Sequence, residues 1–323
     1  MDSLTSIDTT MPVQTPDSPI SEHLSKRGHI NISPSDQPAL NLYYEIYGTG
    51  QEKIVFINGM GADRQMWEPN VAEFLKLSNY QCLVYDHRGT GFSDIGPSGP
   101  LSFTSSAMAR DLKCLIDVLG WNTRVNVVGA SMGGMVALEF ATGYAHRVKT
   151  LSLVVTNAGL SLPPLKGIVD TVGANFVRDP IARFKAICGS LYSKEYLESP
   201  APEGSGCKNM LEYCAQNAVR KSRNSRPMSF WSFLGQVGTV FRHYVSPARL
   251  RLLGRLLPDK QILIVTGDED HMVRTSNSVY LADTIGREHV IFEVYHGAAH
   301  GLCSQEAAKL VRHIDKMITD TNK

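Results

Sequence analysis

The chain has no apolar run of about 18 residues, the minimum for a membrane-spanning helix, so a spanning segment is excluded. It also lacks a surplus of either charge. Lys plus Arg number 32 against 31 Asp plus Glu, a net charge of +1, which argues against a protein that binds nucleic-acid phosphates. The cysteines at 82, 114, 188, 207, 214 and 303 are scattered, with no C-x-x-C and no tight His/Cys cluster. That excludes a zinc-type site and reads as free thiols in a reducing compartment. Neither an apolar h-region nor an early arginine marks the N-terminus, so no secretory or mitochondrial leader is expected. The stretch from Met1 to Glu22 is rich in Ser, Thr, Asp and Pro; residues 1–27 read as a disordered tail, with folded structure beginning near His29. Thr321-Asn322-Lys323 forms no peroxisomal or ER-retention signal, and cytoplasm is the expected location. What is present, 43 % hydrophobic and 20 % charged residues in 323, suffices for the core of one large α/β domain.

His29 to Ser33, a Ser-Pro-Ser-Asp-Gln-Pro turn, and Leu40 to Gly48 predict a β-hairpin. In its second arm Leu40, Leu42, Tyr44 and Ile46 share one face, and Asn41, Tyr43, Glu45 and Tyr47 the other. The pattern then becomes short, nearly unbroken apolar runs: Ile54 to Ile57, Cys82 to Tyr85, Val125 to Val128, Leu151 to Val155, Ile262 to Val265 and Val290 to Val294. Runs of this kind are strands covered by helices on both faces, and their alternation with amphipathic segments implies βαβ units in a mostly parallel sheet. Between Val155 and Ile262 lie about a hundred residues without such a run, too long for a loop and read as an inserted helical subdomain. Residues 160–257 hold 14 Lys plus Arg and 6 Asp plus Glu, a balance of +8 that leaves the rest at −7. The insertion is also rich in aromatics, among them Phe176, Tyr192, Trp231, Phe233 and Phe241.

Gly129-Ala130-Ser131-Met132-Gly133 is a G-x-S-x-G pattern at the end of a buried run and the start of a helix through Met135, Ala137 and Leu138. A sharp strand-to-helix turn there would lift Ser131 to a strained apex, with Gly129 and Gly133 permitting close approach of neighbouring segments. The bland alternative is a helix-capping serine in a Gly-rich turn. A serine hydroxyl needs a base within hydrogen-bond reach, itself oriented by an acid. Asp268, Glu269 and Asp270 all follow the run Ile262 to Val265, and His296 and His300 both follow Val290 to Val294; order alone leaves these choices open. A metal pair of His296 and His300 would need a helix, whereas this segment leaves a strand, so no metal is expected.

Together these features resemble the α/β-hydrolase-fold superfamily of capped esterases, lactonases and C–C hydrolases, over residues 29–319 apart from the insertion. The Asp86-His87-Arg88-Gly89-Thr90-Gly91-Phe92-Ser93 loop and Tyr144-Ala145-His146-Arg147-Val148 are similar to family segments. The resemblance implies an eight-stranded, mostly parallel sheet flanked by helices, with residues 28–159 and 256–323 as core and 160–255 as a helical cap. It selects Asp270, three residues after Gly267, and His300, after Gly297-Ala298-Ala299, as partners of Ser131 in the order nucleophile, acid, histidine. It further implies an oxyanion hole from the backbone N–H groups of Met132 and Met60, the latter in the loop Asn58-Gly59-Met60-Gly61; Asn58 stands where the family usually has histidine. The implied reaction is cofactor-free hydrolysis of a small or medium ester or lactone through an acyl-enzyme. C–C bond cleavage, a proline-releasing peptidase, and a ligand receptor or scaffold with little turnover are the alternatives. The cap aromatics either line an acyl pocket or form the cap's own core. Arg220, Lys221, Arg223 and Arg226 either steer an anionic substrate or surface or form a solvated face. No nucleic-acid partner is expected, and the sequence leaves the oligomeric state open.

Overall fold

In the computed structural model, which describes residues 18–33, 39–96 and 98–323, the strands are β1 (Leu24–Asn31), β2 (Asn41–Tyr47), β3 (Glu52–Ile57), β4 (Tyr80–Tyr85), β5 (Val125–Ala130), β6 (Val148–Val154), β7 (Ile262–Gly267) and β8 (Val290–Tyr295). They form one sheet in the order β1-β2-β4-β3-β5-β6-β7-β8. The β1–β2 and β2–β4 pairings are antiparallel and the remainder parallel. Every residue of β5 and β7 is buried, the reason their sequences are nearly continuous apolar runs rather than alternating ones. This is the α/β-hydrolase fold.

Helices α1 (Glu68–Leu75), α2 (Ser105–Val118) and α3 (Met132–Gly143) connect the first strands. The segment between β6 and β7 carries α4 (Leu165–Asn175), α5 (Pro180–Leu191), α6 (Lys194–Glu198), α7 (Met210–Arg223), α8 (Phe230–Arg242) and α9 (Pro247–Leu256); α10 (Thr275–Ile285), α11 (Leu302–Gln305) and α12 (Ala307–Thr321) follow. One face of the sheet is covered by residues of α2, α3, α9 and α10, the other by α1 and α12. α12 shows how sequence period sets this packing. Leu310, Val311, Ile314, Met317 and Ile318 fall on one helical stripe and are all buried, each worth about 1.5–3 kcal/mol against full exposure.

Three details go beyond or depart from the sequence reading. The chain is ordered before residue 27: Ile20 is buried and β1 starts at Leu24, because β1 pairs with β2 along its length. Residues 1–17 of the expected tail, and 34–38 of the expected turn, lie outside the described residues. The polar face of β2 is buried too. The Glu45 carboxylate accepts hydrogen bonds from Tyr43 and Tyr47 hydroxyls at 3.1 and 2.7 Å and pairs with Arg64 at 2.7 Å, so its charge is compensated. Finally, α9 lies within the span assigned to the cap but joins the core layer. Leu250 and Leu253 enter the main apolar cluster, and Arg249 pairs with Glu139 of α3 at 2.7 Å.

Candidate active site

β5 delivers Ser131 to the mouth of the sheet with φ +55° and ψ −122°, a conformation L-residues rarely adopt, costing about 1–3 kcal/mol. Surrounding bonds hold it there. Ser131 N–H donates to Val154 O at 2.9 Å, and Ser131 O accepts from Thr156 Oγ1 at 2.7 Å and from the amide of Gly134 at 2.9 Å. The elbow also requires its glycines: a Cβ on Gly129 would lie 2.3 Å from Gly133 O, and one on Gly133 2.1 Å from Ile57 O. The helix-capping alternative finds no support, since the Ser131 side chain makes no cap hydrogen bond to α3.

Ser131 Oγ lies 2.9 Å from His300 Nε2, and His300 Nδ1 lies 2.8 Å from Asp270 Oδ2. The Asp270 side chain is fully buried; its other oxygen accepts from the amides of Met272 and Val273 at 2.7 and 2.8 Å. Thus the carboxylate is oriented before it meets the ring, and the ring before it meets the hydroxyl. The competing residues pair with each other elsewhere: Asp268 Oδ2 lies 2.7 Å from His296 Nδ1, and the His296 side chain is 87 % exposed. Glu269 is exposed. Of the candidates that spacing leaves open, Asp270 and His300 are the pair that comes together with Ser131. Among the described residues no group of three or more His, Cys, Asp or Glu gathers as metal ligands do.

The loop after β3 comes against the serine, with a Cβ on Gly59 placed 3.4 Å from Ser131 Cβ. Asn58 is fully buried and donates from Nδ2 to Tyr85 O at 2.7 Å, so its side chain ties β3 to β4 and does not face the mouth. Gly59 N–H meets Met66 Sδ at 3.3 Å, and Gly61 N–H donates to Gln236 Oε1 at 2.8 Å. Between them, and among the described residues, the Met60 amide takes no protein acceptor. Met132 opens α3, where a first-turn N–H has no intrahelical partner. The Asp86 loop is a brace: Asp86 accepts from the amides of Arg64 and Phe92 at 2.9 and 3.0 Å, and Arg88 pairs with Asp111 at 2.6 Å. Next to it, burial pushes the His87 imidazole down to about 4, so the ring is neutral where it meets Asn58 O at 3.2 Å.

Ser131 and His300 open into a cavity with about 810 Å³ of empty space, counting its mouth, walled by Met60, Met135, Ile168, Phe233, Val240 and Phe241 among others. Asn157, Ser161 and Thr171 are its other polar contributors, and among the described residues no Lys, Arg, Asp or Glu lines it. The insertion's aromatics divide: Phe233 is buried at the cavity, Tyr192 and Tyr196 stack with centroids 5.2 Å apart, and Phe176, Phe230, Trp231 and Phe241 are largely exposed. Two of the expected solvated cations are engaged: Arg220 Nη1 donates to Glu68 at 3.1 Å and Lys221 Nζ to Gln65 O at 2.8 Å. Burial favours the protonated form of Glu68, but the Arg220 bonds and the Lys221 charge outweigh it and hold the carboxyl below its usual range.

Two glutamines escaped the sequence reading. Gln305 donates to Gly297 O at 2.7 Å and accepts from Ala299 N at 3.2 Å, bracing the histidine loop. Gln236 spans the insertion and the core. The only sequence signal for it is a polar residue inside the apolar face Phe233, Val237, Val240 of α8.

A family model described as alpha/beta hydrolase fold matches residues 53–307. A curated relative named carbamate hydrolase RutD, from Azorhizobium caulinodans, is 35 % identical over 116 residues, 35 % of this chain and 40 % of that protein. The match thus spans well under half of that relative's length. Among solved structures, a thermophilic esterase from Thermogutta terrifontis superposes with TM-score 0.70 at 22 % identity, covering 93 % of this chain and 100 % of the other. The enol-lactonase from Burkholderia xenovorans LB400 gives 0.67 at 23 % identity, covering 87 % and 97 %. These two likenesses speak to the fold. No helix among the described residues is long and apolar enough to cross a membrane. With the family model covering most of the sheet, the elbow and the segment that carries His300, this chain belongs to the alpha/beta hydrolase-fold family.

Proposed function

We propose that the protein is a serine hydrolase that cleaves a neutral carboxylic ester or lactone with a small or medium apolar acyl group, through an acyl-enzyme. The observation that carries this reading is the unbroken chain Asp270–His300–Ser131 opening onto an apolar cavity. Ser131 Oγ attacks the carbonyl carbon as His300 Nε2 takes its proton, and the carbonyl electron pair moves onto oxygen. The Met60 and Met132 amides donate to that oxyanion, each such donor being worth about 100- to 1,000-fold in rate. Collapse expels the alcohol oxygen, which receives the proton from His300. Water, deprotonated by the same nitrogen, then releases the acid and restores Ser131. Asp270 remains ionised, fixes the Nδ1–H tautomer and balances the imidazolium.

The walls support the neutral substrate class. A carboxylate on the acyl group would leave water with no cationic side chain among the described lining residues to meet it, a desolvation cost of several kcal/mol. Of the four cations that could have steered it, Arg220 and Lys221 are bonded to Glu68 and Gln65, and Arg223 and Arg226 are exposed and not among the cavity's described lining residues. The test is labelling by a fluorophosphonate, comparing wild type with Ser131→Ala, followed by kcat/KM for p-nitrophenyl esters of rising acyl length. Labelling that depends on Ser131 is expected, with an aryl ester of a dicarboxylic half-acid at least about 100-fold poorer than its uncharged analogue. Folded wild type that fails to label would favour a ligand-binding protein. Preference for the half-acid would overturn the substrate class.

A further inference from the structure

Gln236 belongs to α8, within the insertion, yet it is fully buried and bonded at both ends to the core. Its Oε1 accepts from Gly61 N–H at 2.8 Å, and its Nε2 donates to Thr90 Oγ1 at 2.8 Å. α8 is seated closely enough to fix this side chain. A Cβ on Gly235 would lie 2.5 Å from the Phe103 ring, one on Gly89 2.6 Å from Ser232 Oγ, and Arg242 donates to Phe103 O at 2.7 Å. Gly61 has φ +75°, so the loop turns sharply just after Met60, and Gln236 clamps the peptide that follows that residue. On the other side Gly59 N–H is held by Met66 Sδ. The Met60 amide is therefore framed by two fixed peptides and left free for a ligand oxygen. Gln236 itself does not line the cavity that Phe233, Val237 and Val240 of the same helix help to wall.

We propose that Gln236 is a positioning residue for the oxyanion hole: through Gly61 it sets the orientation of the Met60 N–H, so the hole is complete only while α8 of the insertion is docked. The proposal rests on the serine-hydrolase reading above and adds to it that the insertion shapes the reaction centre as well as the substrate pocket. Without the Gly61 anchor the loop samples other peptide orientations, and a donor's value falls steeply with misalignment. Loss of one oxyanion donor costs about 100- to 1,000-fold; misorientation of one is expected to cost about 10- to 100-fold.

The experiment compares wild type, Gln236→Met and Gln236→Glu in p-nitrophenyl ester hydrolysis and fluorophosphonate labelling rate, with folding monitored by circular dichroism. Gln236→Met fills the same volume without an acceptor. The expected result is kcat and labelling rate each falling about 10- to 100-fold with KM within about twofold, the pattern of a lost transition-state interaction. Gln236→Glu keeps an acceptor for Gly61 but buries a carboxyl, which lowers stability, so its kcat should fall less than that of Gln236→Met. A purely structural role would lower stability in both variants without this kcat-against-KM split. Folded Gln236→Met with wild-type kcat, or with a raised KM at unchanged kcat, overturns the proposal. Should Gln236→Met fail to fold, Gln236→Leu, which also lacks an acceptor for Gly61, takes its place: a kcat at least about tenfold lower with KM unchanged supports the proposal, and wild-type kcat in that folded variant overturns it. Failure of the serine-hydrolase reading would appear differently, as absence of labelling in wild type.

Discussion

Asp270→Asn is the substitution with the most informative consequence, because the geometry determines which way the new amide must face. Asp270 uses one oxygen to accept from the Met272 and Val273 amides and the other to meet His300 Nδ1. An Asn could turn its carbonyl toward His300 only by setting its NH2 against two backbone N–H groups. Leaving those buried donors unmet costs about 1–3 kcal/mol each, so the carbonyl stays with Met272 and Val273 and the NH2 donates to His300 Nδ1. The ring is then forced to carry its proton on Nε2, facing Ser131 Oγ, where it cannot accept the serine proton. In a Ser-His-Asp triad the wrong tautomer costs about 10⁴-fold in kcat; here a fall of about 10³- to 10⁴-fold is expected, or roughly 4–5.5 kcal/mol. KM should stay within about threefold, because Asp270 does not line the cavity. Steady-state p-nitrophenyl ester kinetics on purified variants provide the assay, with Asp268→Asn as control, since that carboxylate bonds the exposed His296 and the amide of Gly297. If Asp270→Asn kept more than about a tenth of wild-type kcat, or if Asp268→Asn lost as much, the tautomer argument would be refuted.

Gly133→Ala should destabilise the protein by roughly 3 kcal/mol in urea unfolding, since its Cβ would sit 2.1 Å from Ile57 O and 2.5 Å from Asn58 O, both backbone atoms; a change below about 0.5 kcal/mol would mean the elbow relaxes without cost. Burial also pushes His243 down to about 4, so between that value and 6.5 the unfolded chain binds a proton that the folded chain does not. Stability from this group is therefore present at neutral pH and lost as pH falls. From pH 7 to pH 5 the loss is about 2 kcal/mol, which His243→Gln should remove from the pH dependence of the urea midpoint.

The sheet was legible in the sequence because burial on both faces leaves a signature no other element makes: β5 and β7 are short apolar runs with no polar alternation. The elbow was legible for a local reason, since G-x-S-x-G specifies close contacts among residues only a few positions apart. Which carboxylate and which histidine meet Ser131 could not be read from spacing. The reason is that Asp268 and Asp270 leave the same strand two residues apart, and which of them turns inward depends on the amides of Met272 and Val273 and on a histidine 30 residues further along.

What the chain alone determined, then, is every feature whose physics is local: strand runs, the strained serine, the helical character of the stretch before β7. Tertiary structure decided the features whose partners are remote in sequence. Glu45 became a buried ion because Arg64 reaches it, and Arg220 and Lys221 became braces because Glu68 and Gln65 lie beneath them. Gln236 became an anchor because Gly61, 175 residues away, offers an amide at the right place. A polar side chain carries no mark of its partner in the sequence; only the packing that removes water from both makes their pairing obligatory.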